Sequence, residues 1–571
     1  MKLPWVKTDN LQIYSNTALA LFILCGLCLF LFFFRLADMG IMSPSFEPRR
    51  MLLAKDMVRN GHWLVPDLLG KPYILKPPLL PWLISAGYLL FGSADLWAAR
   101  FFPALAGLLT VLVTFFFAKR LFNHRVGFFA AVILATSLLY IRLARIAEED
   151  IMLTLFVSLS LLTFFLAYYY QAGKKYYILF YFFVALACLT KGPPGLSFPV
   201  LTIIPFLFLR RDLRAIRKME LFPWALIFGA LVVAWYIFAY AQSGLAEARN
   251  FFMADIFEKF FPEGSGRPFY QYVVQLFAHF FPWSLFLPAV VVYVATKQGK
   301  KERQCSLFLL CWIIPNLFLF SLAGAKRNEY IIPFYPALAI LTAQAWERFL
   351  VDKKDSFLKK VPLLGIYAFA FLAIGAGLVG PIFSLVKYPQ DLLWNGLFGL
   401  LFFLGGLTIL LFAKRRQYIA FFPVAAIMVM GFIFVFTSHI APTYLKYTTP
   451  NDFCAKVASR VGRDAELLSF FWYEDEFIIN GLDRTIPNID DDTELDRYLA
   501  GEKQVYIIME GEVFLRLKEA KPQVQLVIFQ KPFLKMKRSV VLVTNKVVKQ
   551  KSNVRRDHIS SARIGIARDS G

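Results

Sequence analysis

Residues 142–154 read RLARIAEEDIMLT. Arg142 and Arg145 precede three consecutive acids, Glu148, Glu149 and Asp150, and apolar sequence flanks the group on both sides. A bilayer-crossing helix needs about 20 mostly apolar residues, with roughly 17 to 25 tolerated. The stretches 127–145 and 151–170 both meet that length, so the charges sit where two spans meet. A carboxylate at such a place is costly to desolvate unless it faces a polar cavity or a partner. Neighbouring residues do not share a helix face. One or two of the acids are therefore expected to be solvated or paired with Arg142 or Arg145, and one to point inward.

The rest of the chain is built for the same solvent. Of 571 residues, 58% are hydrophobic and 62 are phenylalanine, more than a soluble core can hide, while only 18% are charged. Apolar stretches at 17–34, 98–118, 127–145, 151–170, 176–190, 195–209, 220–241, 280–296, 306–323, 331–347, 362–386, 394–413 and 418–439 give thirteen expected spans. The shorter, proline-bearing 79–91 suits an interfacial helix. The start is read as a retained first span: the run from Ala18 to Phe34 is long, and Arg35-Leu36-Ala37-Asp38 offers no small-x-small cleavage site.

The net charge of +23 points away from nucleic acid, because the basic residues do not gather on a soluble domain. They fall in every second loop: KRLFNHR (119–125), GKK (173–175), RRDLRAIRK (210–218), KQGKKER (297–303), ERFLVDKKDSFLKK (347–360) and KRR (414–416). Membrane proteins keep such loops in the cytoplasm. The N-terminus then lies inside, and loops 35–97 and 242–279, the turns 191–195 and 325–330 and the C-terminal tail lie outside. Counting 79–91 as a span would put all six basic loops on the wrong side. The six cysteines show neither a disulfide framework nor metal-ligand spacing.

External charges need a reason other than topology. In the first external loop, Pro48–Asn60 has the apolar spacing of an amphipathic surface helix, and its cations Arg50, Lys55 and Arg59 suit lipid headgroups. Lys76 is held just before Pro77-Pro78, as a cation fixed at the level of a lipid-anchored phosphate. Lys191 in KGPPG, Lys326 and Arg327 before Asn328-Glu329-Tyr330, and Arg249 and Arg267 in loop 242–279 add cations, with Arg267 in a glycine-flanked stretch able to act as a lid. Together with Glu47 and the 148–150 acids they outline an external site for phosphate-seeking cations and a general-base carboxylate. After 439 the chain changes character. Short apolar stretches at 466–473, 505–509, 524–529 and 539–545 alternate with helical patterns at 451–461, 492–500 and 511–520, the pattern of a small α/β domain with a partly parallel sheet. The domain expectation is a transmembrane unit 1–439, an extracytoplasmic α/β domain 440–549 and a disordered tail 550–571.

These pieces resemble the bacterial aminoarabinose transferases and the related protein O-mannosyltransferases, polytopic enzymes of the GT-C glycosyltransferase class. The resemblance runs through Glu47-Pro48-Arg49, GHWLVPDLLGKPYILKPPLLPWL (61–83), RIAEEDIMLTLF (145–156), LTKGPPGLSFPVL (189–201), FPWSLFLP (281–288) and FSLAGAKRNEYIIPFYPALAIL (320–341), in that order. It implies a polytopic α-helical membrane protein of about thirteen spans in the bacterial inner membrane. It also implies an extracytoplasmic site and inverting transfer of a sugar from a polyprenyl-phosphate donor to an envelope acceptor: lipid A, a glycan, a lipid or a protein hydroxyl. By motif, Glu47 and Asp150 are the implied catalytic carboxylates, and Arg49, Lys76, Arg267, Lys326, Arg327 and Tyr330 the implied donor-binding residues. Two positions depart from the family: Phe46 stands where an aspartate is usual, and Leu75 where a glutamate often precedes Lys-Pro-Pro. The second departure removes a carboxylate ligand, so a divalent metal has no clear ligand set and cations are left to stabilise the leaving phosphate. A flippase or transporter would carry charges in mid-span and matched broken helices, and a non-catalytic scaffold would fit the missing aspartate; charge gathered on one external side favours the enzyme.

Overall fold

The computed structural model describes residues 16–38, 40, 46–68, 71–219, 221–243, 267–296, 298–324, 326–351, 357–387, 389–443, 451–462, 465–470, 482, 486–489, 491–520, 524–530 and 539–546. The chain forms two compact units, Met1–Thr449 and Pro450–Gly571. The expected tail 550–571, Arg249 and most of loop 242–279 lie outside the described residues.

The first unit is helical. Its elements begin with α1 (Thr17–Cys28), the amphipathic α2 (Glu47–Asn60), a hairpin of β1 (Asp67–Leu68) and β2 (Lys71–Pro72), and the apolar α3 (Leu79–Phe91). There follow α4 (Leu96–Leu121), α5 (His124–Ala135), α6 (Leu138–Ala144), α7 (Asp150–Tyr169), α8 (Lys175–Lys191), α9 (Pro194–Leu209), α10 (Ala215–Lys218) and α11 (Leu221–Ser243). The unit continues with α12 (Gln271–His279), α13 (Leu287–Ala295), α14 (Lys300–Leu322), α15 (Tyr335–Val351), α16 (Phe357–Lys387), α17 (Leu392–Lys414) and α18 (Phe421–Val435). Among the described residues, seven helices are long and apolar enough to cross a bilayer, or up to nine if each of two bent pairs is one span. Thr17–Phe33, Leu79–Phe91 and Pro194–Leu209 are shorter apolar helices.

Two expected spans are not straight. The stretch 127–145 is broken between α5 and α6 by a 69° bend. The Thr136 and Ser137 hydroxyls donate to the carbonyls of Val132 and Ile133, 2.6 and 2.7 Å away, a local bond that bends helices. The Trp283 indole N–H then reaches Thr136 Oγ1 at 2.8 Å. The stretch 280–296 begins with a 3-10 turn, Trp283–Phe286, and α12 meets the segment Trp283–Ala295 at 114°. Pro282 ahead of that turn has no N–H to continue the helix. The expected span 331–347 likewise opens as a 3-10 turn, Asn328–Phe334, before α15. Nearly every residue of α15 is buried, so it forms the centre of the bundle, with Trp346 packed on Phe286 and Phe421 at ring distances of 4.9 and 5.4 Å.

The second unit has α19 (Asn451–Arg460), β3 (Glu466–Phe470), β4 (Asn488–Ile489), α20 (Asp492–Ala500), β5 (Val505–Glu510), α21 (Gly511–Ala520), β6 (Gln525–Gln530) and β7 (Val540–Thr544). The sheet order is β4-β3-β5-β7-β6, with β3 parallel to β4 and β5 and with β7 antiparallel to β5 and β6. The partly parallel sheet read from sequence is present, with the short β4 as an additional edge. Strands β5 and β7 are almost wholly buried, as expected of continuous apolar runs with both faces covered.

Candidate active site

The acids of 148–150 stand on the turn between α6 and α7, and α2 holds that turn in place. Glu47, on the first turn of α2, is completely buried. Its Oε1 accepts from Arg100 Nε at 2.6 Å and from the Ala147 backbone N–H at 2.8 Å, and its Oε2 accepts from Arg100 Nη2 at 2.7 Å. Arg100 also donates to the Leu36 carbonyl at 2.7 Å, and Arg145 donates to the carbonyls of Leu31 and Phe34 at 2.8 Å each. Two buried guanidiniums thus tie the end of the first span and α2 to the 145–149 turn. A bidentate pair of this kind fixes orientation as well as charge.

Each acid on the turn has a different cation, and none is Arg142 or Arg145 as the sequence suggested. Glu148 Oε1 accepts from the Phe46 backbone N–H at 3.2 Å, and its Oε2 lies 3.7 Å from Arg327 Nη2. Glu149 pairs with Arg50, which also donates to the Tyr73 hydroxyl at 2.7 Å. Asp150 pairs with Lys191. Arg142 turns instead to Glu329, 3.3 Å away, and Arg327 also approaches Glu329, at 3.4 Å. Consecutive residues point in different directions, so three neighbours collect three partners from three elements. Arg50, expected among lipid headgroups, is buried at 3% exposure because Glu149 draws it inward.

The sequence explains how Lys191 arrives. Gly192 ends α8 at φ +75°, where a side chain would be strained and a Cβ would lie 2.8 Å from the Tyr236 hydroxyl. The chain turns there into Pro193-Pro194 and leaves Lys191 beside Asp150 at the start of α7. The Lys191 ammonium also stands 5.1 Å from the Tyr330 ring centre. Asp150 itself occupies the first turn of α7, where the helix dipole favours a negative charge.

Electrostatics separate the two glutamates. Burial, with the Asp150 carboxylate beside it, pushes Glu148 from 4.5 up to about 7, against the pull of Arg327. Burial would raise Glu149 too, but Arg50, Lys191 and Lys76 overcome it and hold that group below the usual range. Glu329 is likewise held low, with Arg327 and Arg142 outweighing its burial. A carboxyl poised near neutrality beside others held ionised is the arrangement from which acid–base roles are read.

Phe46, where the resemblance implied an aspartate, lies against two arginines. The Arg327 guanidinium is 4.6 Å and that of Arg49 5.4 Å from its ring centre. Lys76 is half-buried and its charge acts on Glu149, so it borders the same cluster. The structure therefore brings together Arg49, Lys76, Asp150, Arg327 and Tyr330 of the expected site, and adds Arg50, Tyr73, Glu148, Glu149, Lys191 and Glu329. Lys326 and Arg267 are arranged otherwise. Lys326 Nζ donates to the Arg267 and Ala323 carbonyls at 2.9 and 2.5 Å, and Arg267 Nη1 donates to the Lys326 carbonyl at 2.8 Å. Their charged ends fasten two backbone segments to each other, so the cations expected on phosphate form a clasp. Arg100 was hidden from sequence reasoning inside an apolar run; an arginine within a span is itself the signal that would have marked it.

Among the described residues no group of three or more His, Cys, Asp or Glu side chains is placed to hold a metal ion. The acids of the cluster face arginine and lysine instead, so this donor set does not fit a divalent cation.

Residues 75–238 match the dolichyl-phosphate-mannose-protein mannosyltransferase family. An uncharacterized protein of Aquifex aeolicus is 29% identical over 369 residues, 63% of this chain and 70% of that one. An undecaprenyl phosphate-alpha-4-amino-4-deoxy-L-arabinose arabinosyl transferase of Erwinia tasmaniensis is 29% identical over 351 residues, 60% of this chain and 62% of the relative, so the chain spans somewhat under two thirds of that protein. The crystal structure of ArnT from Cupriavidus metallidurans bound to undecaprenyl phosphate superposes with a TM-score of 0.77 at 19% identity, covering 94% of this chain and 99% of that one. Over these parts of its length the chain is similar to protein-mannosyl and arabinosyl transferases, and its fold is similar to that of ArnT. The matched segment 75–238 contains Lys76, Arg100, Arg145, the three acids and Lys191, so the match takes in part of the charged cluster.

Proposed function

We propose that this GT-C relative is a multi-pass inner-membrane glycosyltransferase that moves a sugar from a polyprenyl-phosphate donor to an envelope acceptor, a lipid A, glycan, lipid or protein group, on the outer face. The observation that carries the reading is the gathering of Arg49 and Arg327 at the Phe46 ring and of Lys76 near Glu149, with Glu148 pushed up to about 7 beside Glu149, which is held ionised. The topology that suits it is thirteen spans, a cytoplasmic N-terminus and an extracytoplasmic C-terminal domain, since the basic loops then all lie inside.

The chemistry is a single inverting displacement. The acceptor oxygen or nitrogen attacks the anomeric carbon, its proton passes to Glu148, and the bond from that carbon to the phosphate oxygen breaks. The extra negative charge on the departing lipid phosphate is taken up by Arg49, Lys76 and Arg327, donors aimed where charge develops. Asp150, the other carboxylate expected in the site, holds Lys191 beside it, while Tyr330 packs beside that ammonium. Glu47 acts through the turn it braces, because both its oxygens are occupied by Arg100 and Ala147. No step is routed through a metal.

The test is lipid mass spectrometry on cells lacking the gene and on cells carrying the wild type, Glu148→Gln or Asp150→Asn. A polyprenyl-phosphate sugar that accumulates in the null strain and in an expressed carboxylate variant identifies the donor by mass. An unchanged lipid pool in all strains overturns the proposal.

A further inference from the structure

The turn between α9 and α11 gathers cations at the far end of α9 from Lys191. Helix α9 has 16 residues, about 24 Å at 1.5 Å per residue, so this turn stands well away from the charged cluster. The helix closes with the Asp212 N–H on the Leu207 carbonyl and the Arg211 N–H on the Phe208 carbonyl, both at 2.9 Å. Arg211 takes the left-handed position of this cap, at φ +54°. Two contacts then fix the inner side of the segment. Asp212, the one acid of 210–219, accepts from the Tyr168 hydroxyl at 2.8 Å, and the Met219 carbonyl accepts from the Tyr181 hydroxyl at 3.1 Å. With Ala215 and Met219 buried, α10 turns its other side outward. Arg214 is three residues from Arg217 and four from Lys218, so the three share one face, and all of them are exposed, as is Arg211.

Neighbouring cations are taken up by aromatic rings: Arg210 lies 5.5 Å from the Tyr168 ring centre, and Arg120 lies 4.0 Å from that of Tyr170. Among the described residues, the charged ends of Arg211, Arg214, Arg217 and Lys218 meet neither a carboxylate nor a ring. The apolar surroundings identify the medium. Phe208 and Leu209, the last residues of α9, are 64% and 58% exposed, and Leu213, beside Arg214, is 45% exposed. Exposed apolar side chains next to a cationic face, at the end of an apolar helix, suit the boundary between acyl chains and headgroups. Guanidiniums at that level take a phosphate bidentately, and a cluster of cations with its one acid turned to a tyrosine favours a lipid of net negative charge over a zwitterionic one.

We propose that the 211–218 turn binds the headgroup of an anionic phospholipid, with Arg214, Arg217 and Lys218 on the phosphate, Arg211 at its edge, and the acyl chains along Phe208, Leu209 and Leu213. The surface is separate from the donor site and does not rest on the transferase reading. A lipid held there pins the turn that joins α9 to α11 at the bilayer surface.

Native mass spectrometry of the purified full chain, released from nanodiscs of equal phosphatidylglycerol and phosphatidylethanolamine, tests it. The wild type is expected to keep phosphatidylglycerol in preference to phosphatidylethanolamine. The triple variant Arg214→Gln, Arg217→Gln, Lys218→Gln changes exposed positions only, and is expected to lower phosphatidylglycerol occupancy at least about tenfold, since each cation near a membrane surface adds its own attraction to anionic lipid. Removing three charges from another loop, by Lys414→Gln, Arg415→Gln and Arg416→Gln, is expected to leave that occupancy unchanged. Equal retention of both lipids by the wild type, an unchanged occupancy in the 214–218 variant, or an equal fall in both variants overturns the proposal, the last by reducing it to net charge. Displacement of the lipid by free inorganic phosphate would also overturn it, by making the turn an anion site that needs no acyl chain.

Discussion

The Arg327 guanidinium lies over the ring of Phe46, 4.6 Å from its centre, and Arg49 approaches the same ring at 5.4 Å. An acid at position 46 would neutralise these cations; an aromatic ring holds them by its electron-rich face and leaves their charge available to a phosphate. Phe46→Leu keeps the bulk and loses both ring contacts, each about 0.5–1 kcal/mol at an exposed site. The expected result is a donor KM raised roughly 5- to 20-fold with kcat nearly unchanged, read from steady-state transfer with varied donor. A fall in kcat at constant KM would mean that the ring serves the chemical step instead.

Glu148 titrates at about 7 instead of 4.5. As the base it must be ionised, so transfer should rise with pH through about 7 and level off above it. Glu148→Gln should lower kcat roughly 10²- to 10⁴-fold and abolish that rise. Stability runs the other way. A carboxyl whose folded value is raised binds its proton more tightly in the folded state, so its contribution is full below 4.5 and is lost as pH climbs through about 7. Glu148→Gln should therefore melt no lower than the wild type at pH 8, a condition chosen to lie above the Glu148 value of about 7. A variant that is both inactive and much less stable at that pH would point to a structural role.

Asp150 and Lys191 form a nearly sealed pair, with side chains 4% and 12% exposed. Removing one partner of such a pair strands the other charge, at about 3–5 kcal/mol. Asp150→Asn and Lys191→Met should each lower the melting temperature, and the double variant should recover most of the loss. Transfer should stay absent in all three, because the site has lost its Asp150 carboxylate or the cation that orients it. An active double variant would make the pair purely structural.

Much of this was legible before the fold. The opening stretch 142–154 stood out because three acids in a row where two spans meet need partners or a polar cavity, and Asp150 does open α7. The alternation of the tail gave β3, β5, β6 and β7 to within a few residues, since buried strands and short amphipathic helices each carry their own period. What did not show is pairing over long chain separation. Sequence offered Arg142 and Arg145 to the acids because they are close in the chain, whereas Arg50, Lys191 and Arg327 come from α2, the end of α8 and the turn before α15. The clasp between Arg267 and Lys326 was equally invisible, because its acceptors are backbone carbonyls, which leave no mark in a sequence. The bends at Thr136 and near Pro282 had local causes in plain view, a hydroxyl pair and a proline, inside runs whose hydropathy was continuous.

Glu47 offers the sharpest separation of roles. It is completely buried, grips Arg100 through both oxygens and receives the N–H of Ala147, the residue just before the candidate base. If Glu47 were the base, Glu47→Gln would remove the proton acceptor while its amide oxygen still accepted one of these bonds, and the pH-dependent rise of transfer would vanish. If Glu47 positions the turn, the variant leaves Arg100 short of its partner charge at about 3–5 kcal/mol and loosens the turn that carries 148–150. The melting temperature and kcat should then both fall, while the residual activity still rises with pH through about 7, because Glu148 sets that limb. Arg100→Met should reproduce the lower stability, and combined with Glu47→Gln it should cost less than the two changes added, since each single variant already breaks the same pair. Residual turnover that has become independent of pH would instead return the base to Glu47.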